Sequence, residues 1–339
     1  MRPVLCPGLR VLRRSATALQ IGVDACRALV VDDCPGLRAV LAAMDGVRRE
    51  HEVIEAAVAA GVDQADAIGV LRALSEQAVL TDADERVGAA SGGNSRGRDL
   101  AALSLLAWHG RSSGGAVALR SRRRRARVAI VGLGEVGAAA ARLLAAAGIG
   151  ELRLSDEVRA PAVASELQQS SPETTVELTG AGTDADVVLL APQGMGSACE
   201  ADRDLAAGYM RAGVAHCVAT VRETTGVLGP FVVPGWTPCL RCLDLARADA
   251  DPAWPAVLAQ LVPSAHPVPA SEPPVEPALA TLVGAWASVE LLAYVQGLPL
   301  AAAGATLEVA LTHPVPRRRE WAAHPVCGCG WHRAATMGA

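Results

Sequence analysis

Four of the nine cysteines fall in two close pairs. Cys239 and Cys242 form Cys-Leu-Arg-Cys directly after Pro234-Gly235-Trp236-Thr237-Pro238, and Cys327 and Cys329 form Cys-Gly-Cys directly after His324-Pro325. Zinc takes four thiolates at tetrahedral corners; a Cys-x-x-Cys turn supplies two, and a second pair brought alongside supplies the rest. Gly328 lets the backbone bend between ligands spaced this tightly. Two pairs about 85 residues apart, both on Gly/Pro turns, predict structural zinc rather than redox chemistry. His324 and His332 flank the second pair as substitute or supporting ligands. Cys217 sits beside His216 in an apolar run; a buried strand cysteine is expected there in preference to a Cys–His nucleophile. Cys6, Cys26, Cys34 and Cys199 carry no assignment.

The second constellation is Gly132-Leu-Gly134-Glu-Val-Gly137, which follows the apolar run Val128–Val131 and precedes a helical pattern. Gly132 allows the tight turn, Gly134 lets a phosphate approach the backbone, and Gly137 lets the helix pack close to the strand. The helix N-terminus then offers free N–H groups to an anion. Asp156 closes the next strand-like run, where a carboxylate can bond a ribose hydroxyl. The loop alone serves NAD and ATP equally, and a glycine-rich turn that binds nothing is the remaining alternative.

The elements that must position these residues are strand–helix alternations. Strand-like runs cover Arg127–Val131, Glu151–Ser155, Thr175–Thr179, Asp186–Ala191 and Val214–Val221, with helical runs Glu135–Ala147 and Arg203–Ala212. That order predicts an α/β fold with a doubly wound, mostly parallel sheet. A β run Val227–Val233, a helix about Pro255–Leu261, a Pro-rich loop, a long apolar helix within Ala278–Leu300 and a last strand Thr306–Thr312 follow. On that long helix Leu279, Leu282, Val283, Trp286 and Val289 form a core or dimer-interface stripe.

Residues 1–86 read as a separate winged-helix-like domain. Short β runs at Gly8–Arg14, Ala18–Gly22 and Ala28–Asp33 precede a helix opening near Pro35, a second through Val53–Val58 and a third from about Gln64. A short run at Ala78–Thr81 closes the unit. Residues 87–126 read as a linker with one docked helix, Asp99–His109, and a solvated basic run, Arg122–Arg125. Residues 127–335 form the nucleotide-binding-type domain with the zinc site.

Composition excludes several classes. All 31 basic residues are Arg, so neither a Schiff-base lysine nor a P-loop lysine is available. The net charge of −4 argues against nucleic acid and anionic membrane as partners. Residues 1–86 carry 10 Arg against 13 Asp plus Glu, a net of −3, which is wrong for phosphate contacts and better suited to a peptide. Glu290 and the flanking Pro277 and Pro299 make the long apolar run a core helix rather than a membrane span. A cytoplasmic protein is expected, with its cysteines as thiols and metal ligands.

The stretches Val131–Gly137, Ala138–Ala147, Gly148–Asp156, Gly229–Cys242, the helix with Gly284 and Glu290, and Cys327-Gly-Cys329 together resemble the ThiF/MoeB-like superfamily, relatives of ubiquitin-activating enzymes. Within it, Cys239-Leu-Arg-Cys-Leu-Asp-Leu245 and Asp251-Pro-Ala-Trp-Pro255 are most similar to proteins found beside YcaO-type cyclodehydratases in azole-modified peptide (bacteriocin) biosynthesis. The N-terminal module resembles their PqqD-like element. The resemblance implies a Rossmann-like core, a homodimer, and a precursor or leader peptide added as a strand along the Gly8–Asp33 sheet, facing the third helix. It implies ATP as the nucleotide at Gly132, Gly134, Gly137 and Asp156, and structural zinc at Cys239, Cys242, Cys327 and Cys329.

The departures from that pattern concern catalysis. Val158 stands where an adenylating member has a magnesium-binding carboxylate, no Asn-x-x-Arg-Gln segment is recognisable in Arg159–Ser170, and the phosphate-facing Lys is absent. Nucleotidyl transfer needs such cations to neutralise the phosphates. The expectation is a non-catalytic leader-peptide-binding scaffold assisting a YcaO-type enzyme. The alternative is an active ATP-dependent adenylyltransferase of a ubiquitin-like or sulfur-carrier C-terminus. An NAD-dependent oxidoreductase is disfavoured by the cysteine pairs.

Overall fold

A computed structural model describes residues 1–84, 94–110, 115–180, 182–192, 200–260 and 275–329. His332, Cys199 and most of the Pro-rich loop lie outside the described residues. The chain divides into two units, Met1–Ser121 and Arg122–Ala339.

In the first unit, β1 (Pro3–Leu5) is followed by β2 (Val11–Arg13), β3 (Ala18–Ile21) and β4 (Leu29–Asp32), then α1 (Pro35–Ala43), α2 (Glu50–Ala59), α3 (Gln64–Glu76) and β5 (Leu80–Asp82). Strands β2, β3 and β4 form an antiparallel meander, while β1 pairs with β5 with Val4 opposite Thr81. The helices start where their caps dictate. The Cys34 sulfur accepts the Leu37 N–H ahead of Pro35, and the Asp63 carboxylate accepts the Ala65 N–H at 2.8 Å. Each helix buries one stripe: Leu37 and Val40 on α1, Val53 and Ala57 on α2, Ala67, Leu71 and Leu74 on α3. These close over Ile21 and Val79, and Trp108 of α4 (Asn94–Gly110) completes the cluster.

The basic run Arg122–Arg125 is the last turn of helix α5 (Gly115–Arg125), with Arg122, Arg124 and Arg125 exposed as expected of a solvated stretch. Its last-turn arginines complement the helix dipole and, lying within the second unit, bond to other residues of that unit. Arg123 donates to the Ala147 carbonyl at 3.1 Å, and Arg124 pairs with Glu173 at 3.0 Å.

The second unit holds an eight-stranded sheet. Its strands are β6 (Arg127–Val131), β7 (Glu151–Ser155), β8 (Thr175–Leu178), β9 (Val187–Leu190), β10 (Ala215–Arg222), β11 (Thr225–Val232), β12 (Ala305–Ala310) and β13 (His313–Glu320). They lie in the order β8-β7-β6-β9-β10-β11-β12-β13; the first five are parallel and β10 to β13 are antiparallel. Intervening helices are α6 (Glu135–Ala146), α7 (Ala160–Ser170), α8 (Glu200–Ala212), α9 (Leu240–Ala250), α10 (Trp254–Ala259) and α11 (Pro277–Gln296). The strand order reverses between β6 and β9, which is where an open α/β sheet binds its ligand.

Strand alternation sorts the core into two layers. Val128, Ile130, Leu152, Leu154, Val187, Leu189 and Cys217 face one side with buried residues of α6, α7 and α11, while Ala129, Val188, Leu190 and Val218 face Ala206 and Tyr209 of α8. His216 and Cys217 are both buried and, as strand neighbours, point to opposite faces. The Cys217 thiol is pushed up by burial, reinforced by the Glu290 charge, which leaves it a core residue.

Helix α11 is long and apolar enough to cross a membrane. Its Leu279, Ala280, Val283, Ala287 and Leu291 are fully buried in the first layer, and the Glu290 carboxylate accepts the N–H groups of Ala301 and Ala302 at 3.0 and 2.9 Å. The expected stripe divides: Leu279 and Val283 are buried, whereas Leu282 and Val289 are exposed. On the outermost strand β13 every residue is exposed, including Pro314, Pro316 and Arg317 to Arg319.

Candidate functional site

The glycine loop sits at the carboxyl end of β6. Gly132 has φ +88°, and a Cβ there would lie 2.2 Å from the Ala191 carbonyl oxygen at the end of β9. A Cβ on Gly137 would lie 2.0 Å from the Gly132 carbonyl oxygen. Both positions therefore admit only glycine, the first through its backbone conformation and the second through close helix–strand approach. Gly134 is the N-cap of α6 and has no side chain to satisfy the first-turn N–H groups.

Asp156 follows β7 beside this loop, but its oxygens have work within the protein. One accepts the Leu133 N–H at 2.9 Å; the other accepts the N–H groups of Val158 at 3.1 Å and Arg159 at 2.9 Å. Burial raises its pKa, yet these three donors outweigh burial and hold the carboxyl below its usual value. The carboxylate thus ties the glycine loop to the turn into α7. Val158, two residues on, is 83% exposed and offers no ligand. Asp156→Asn keeps the shape but offers fewer acceptors, and is expected to cost about 2 kcal/mol of stability in urea unfolding at neutral pH. Because the folded pKa is lowered, the contribution is fully present above the unfolded value near about 4 and is lost as pH falls below that value and through the lowered folded one. The difference between the two proteins should shrink over that acid window; a constant difference would show that the charge is not involved.

Cys239, Cys242, Cys327 and Cys329 come together, with all four sulfurs within 4.8 Å of one another. The separations are 3.9 Å for Cys239–Cys242, 3.4 Å for Cys239–Cys327 and 3.3 Å for Cys242–Cys329. Metal–sulfur bonds of about 2.3 Å at tetrahedral angles need sulfurs roughly 3.8 Å apart, so the donor set can hold a metal ion. The first pair rides on a helix start rather than a turn: Cys239 is the N-cap of α9 and Cys242 lies in its first turn. Burial raises the Cys239 thiol, and raises Cys329 to about 11. For Cys242 burial is outweighed, chiefly by the His324 N–H, and its thiol is lowered.

Supporting contacts hold the second pair in place, of which the sequence pointed to His324 alone. His324 donates its backbone N–H to the Cys242 sulfur at 3.3 Å. Its Nδ1 accepts the Val326 N–H at 3.2 Å, so Nε2 carries the proton and donates to Asp249 at 2.9 Å. The ring thus supports the cluster without joining it. Arg247 of α9 lies over Trp254 at 4.9 Å and Trp321 at 5.4 Å, and Arg319 covers Trp321 at 4.2 Å. The Trp321 indole donates to Thr306 at 3.1 Å. The tryptophan and histidine shortly before Cys327 were the available signal.

The ThiF family matches residues 113–159. No curated protein sequence matches the chain. Among solved structures, the microcin C7 biosynthetic enzyme MccB in complex with N-formylated MccA is similar at TM-score 0.67 and 15% identity, covering 97% of this chain and 99% of that one. E. coli MccB with AMPCPP and MccA gives TM-score 0.70 at 15% identity, with 97% and 99% coverage. PaaA gives TM-score 0.66 at 15% identity, with 93% and 99% coverage.

Proposed function

For a chain that carries a ThiF-family stretch on a ThiF-like fold, we propose a non-catalytic scaffold that binds a leader peptide and assists an ATP-dependent YcaO-type cyclodehydratase in ribosomal peptide modification. Residues 1–86 recognise the precursor, 87–126 connect, and 127–335 dock the enzyme. The observation that carries the reading is the open strand β4. Among the described residues it pairs with β3 alone, and Val30 on it is exposed. Beyond its end lies a groove of about 510 Å³, lined by Gly36 of α1, Val62, and Asp66, Gly69 and Val70 of α3. An extended peptide can add to such an edge through its backbone and seat side chains in the adjoining groove. That MccB, of the same fold, is known in complex with MccA supports the assignment.

The nucleotide-type pocket keeps its architecture while its chemistry has gone. Gly132, Gly134 and Gly137 would still accept a phosphate, but Asp156 is engaged by three N–H groups, Val158 replaces the metal ligand, and the chain has no Lys. Cys239, Cys242, Cys327 and Cys329 would hold a structural zinc ion, consistent with a cytoplasm that keeps thiols reduced. Exposed Leu282 and Val289 on α11 support a homodimer. The alternative, an adenylyltransferase, draws on the intact glycine loop and on the AMPCPP-bound MccB structure of the same fold.

Fluorescence anisotropy with labelled candidate precursor peptides tests the binding role, and ATP–pyrophosphate exchange tests catalysis. A Cβ on Gly69 would meet no heavy atom within 4 Å, so Gly69→Leu occupies the groove without an internal clash. It is expected to weaken peptide binding about tenfold while leaving the unfolding temperature unchanged or higher, because glycine costs a helix interior roughly 1 kcal/mol. Exchange activity in the isolated protein would overturn the scaffold reading in favour of the adenylyltransferase.

A further inference from the structure

Strand β4 offers an added strand two sets of side chains. Leu29 and Val31 pack against the core of the first unit, whereas Val30 and Asp32 are exposed on the opposite face. The groove beyond the strand repeats this pairing of apolar surface with acid. Val62 and Val70 are partly buried against the same core, while Asp63 and Asp66, at the start of α3, are exposed at its lining. Among the described residues no basic side chain lines the groove.

The carboxylates here outnumber their countercharges. Arg38 and Arg13 are both drawn to Asp33, the first through two bonds of 2.5 Å and the second at 3.9 Å. Asp63 accepts the Ala65 N–H and keeps its charge. Asp32 and Asp66 have no hydrogen-bond or ion-pair partner for their carboxylates among the described residues. The groove opens at the starts of α1 and α3, whose positive poles are worth roughly half a charge each, and near the end of α2, whose negative pole offsets one of them. We infer that the first unit selects a cationic peptide. An apolar side chain of the added strand lies over Val30, and a Lys or Arg two positions along meets Asp32. A further Lys or Arg enters the groove, its stem on Val62 and Val70 and its head group against Asp66. The inference rests on the peptide-binding reading of this unit and adds to it the class of side chain recognised.

The test selects a display library of random linear peptides against the full-length protein and, in parallel, against the double variant Asp32→Asn, Asp66→Asn. With the wild type, Lys and Arg are expected to be enriched several-fold over the library composition and Asp and Glu depleted; with the double variant the enrichment should vanish. One selected peptide is then labelled with fluorescein and compared with a counterpart carrying Gln at its basic positions. Anisotropy should show the counterpart binding the wild type about tenfold more weakly, the size of one lost charge-assisted hydrogen bond. The double variant should bind the two alike. Both carboxylates are exposed, so the variant should unfold close to the wild-type temperature. Selected peptides with no basic preference, equal binding of peptide and counterpart, or enrichment unchanged in the double variant would overturn the charge selection. If Gly69→Leu still weakened such peptides, capture by the groove would stand without it, whereas a library that yields no binder would overturn both.

Discussion

If the cluster holds the proposed metal ion, replacing Cys242 by serine is expected to lower the main unfolding transition by about 10 °C and to reduce bound metal to less than half an equivalent per chain. Cys242 is fully buried at the start of α9, where its sulfur approaches Cys329 and receives the His324 N–H. A tetrahedral site folds two distant segments together only while all four thiolates are present, because the ion's binding free energy is folding free energy. Losing one ligand costs roughly 4 kcal/mol, at the upper end for single substitutions, and a unit of this size shifts by about 2–4 °C per kcal/mol. A strong chelator should lower the wild-type transition by a similar amount and move that of Cys242→Ser little. Elemental analysis with calorimetry reads both. A wild-type protein indifferent to the chelator, with metal demonstrably removed, would show that the cation–π stack of Arg247, Trp321 and Arg319 holds the segment unaided.

Gly137→Ala should be nearly as damaging for the addition of one methyl group. The new Cβ would sit 2.0 Å from the Gly132 carbonyl oxygen and 3.2 Å from the Ala191 side chain. The nearest obstruction is backbone, so the start of α6 must move away from β6 as a body. Overpacking of this kind costs about 3 kcal/mol, or roughly 6–12 °C here. Gly208→Ala is the control: it lies within α8 with nothing near its Cβ, and it should be neutral or stabilising. A Gly137→Ala protein as stable as the control would contradict the loop geometry on which the phosphate-type pocket rests.

Where hydrophobic periodicity was strong, the sequence was readable to the residue. Arg127–Val131 and Glu151–Ser155 are strands over the expected spans, α1 opens at the expected Pro35, and α3 opens at the expected Gln64. The cysteine cluster was legible because thiol pairs have few other uses at that spacing. What escaped was set by neighbours rather than local pattern. Helix α9 begins inside Cys-Leu-Arg-Cys, which reads as a turn, and it is polar enough to hide its one buried face, Cys242 and Leu243. Helix α7 was missed because Arg159–Ser170 was weighed only as a degraded motif. Strand β13 has two prolines and three adjacent arginines and no alternation to detect; its register against β12 holds it. The occupation of Asp156 by Leu133, Val158 and Arg159 could not be inferred, since a ribose-binding carboxylate and a loop-tying one look alike in one dimension.

The two kinds of sheet border in this chain are treated in opposite ways. Strand β13 is armoured: prolines cannot donate to a newcomer, and a row of guanidiniums repels a second copy of itself, so the large sheet is protected from growth at that edge. Strand β4, Leu-Val-Val-Asp, has neither safeguard. A protein that guards one rim and leaves another bare accepts a standing hazard of self-association at the bare one, and a resident peptide would remove that hazard by covering it.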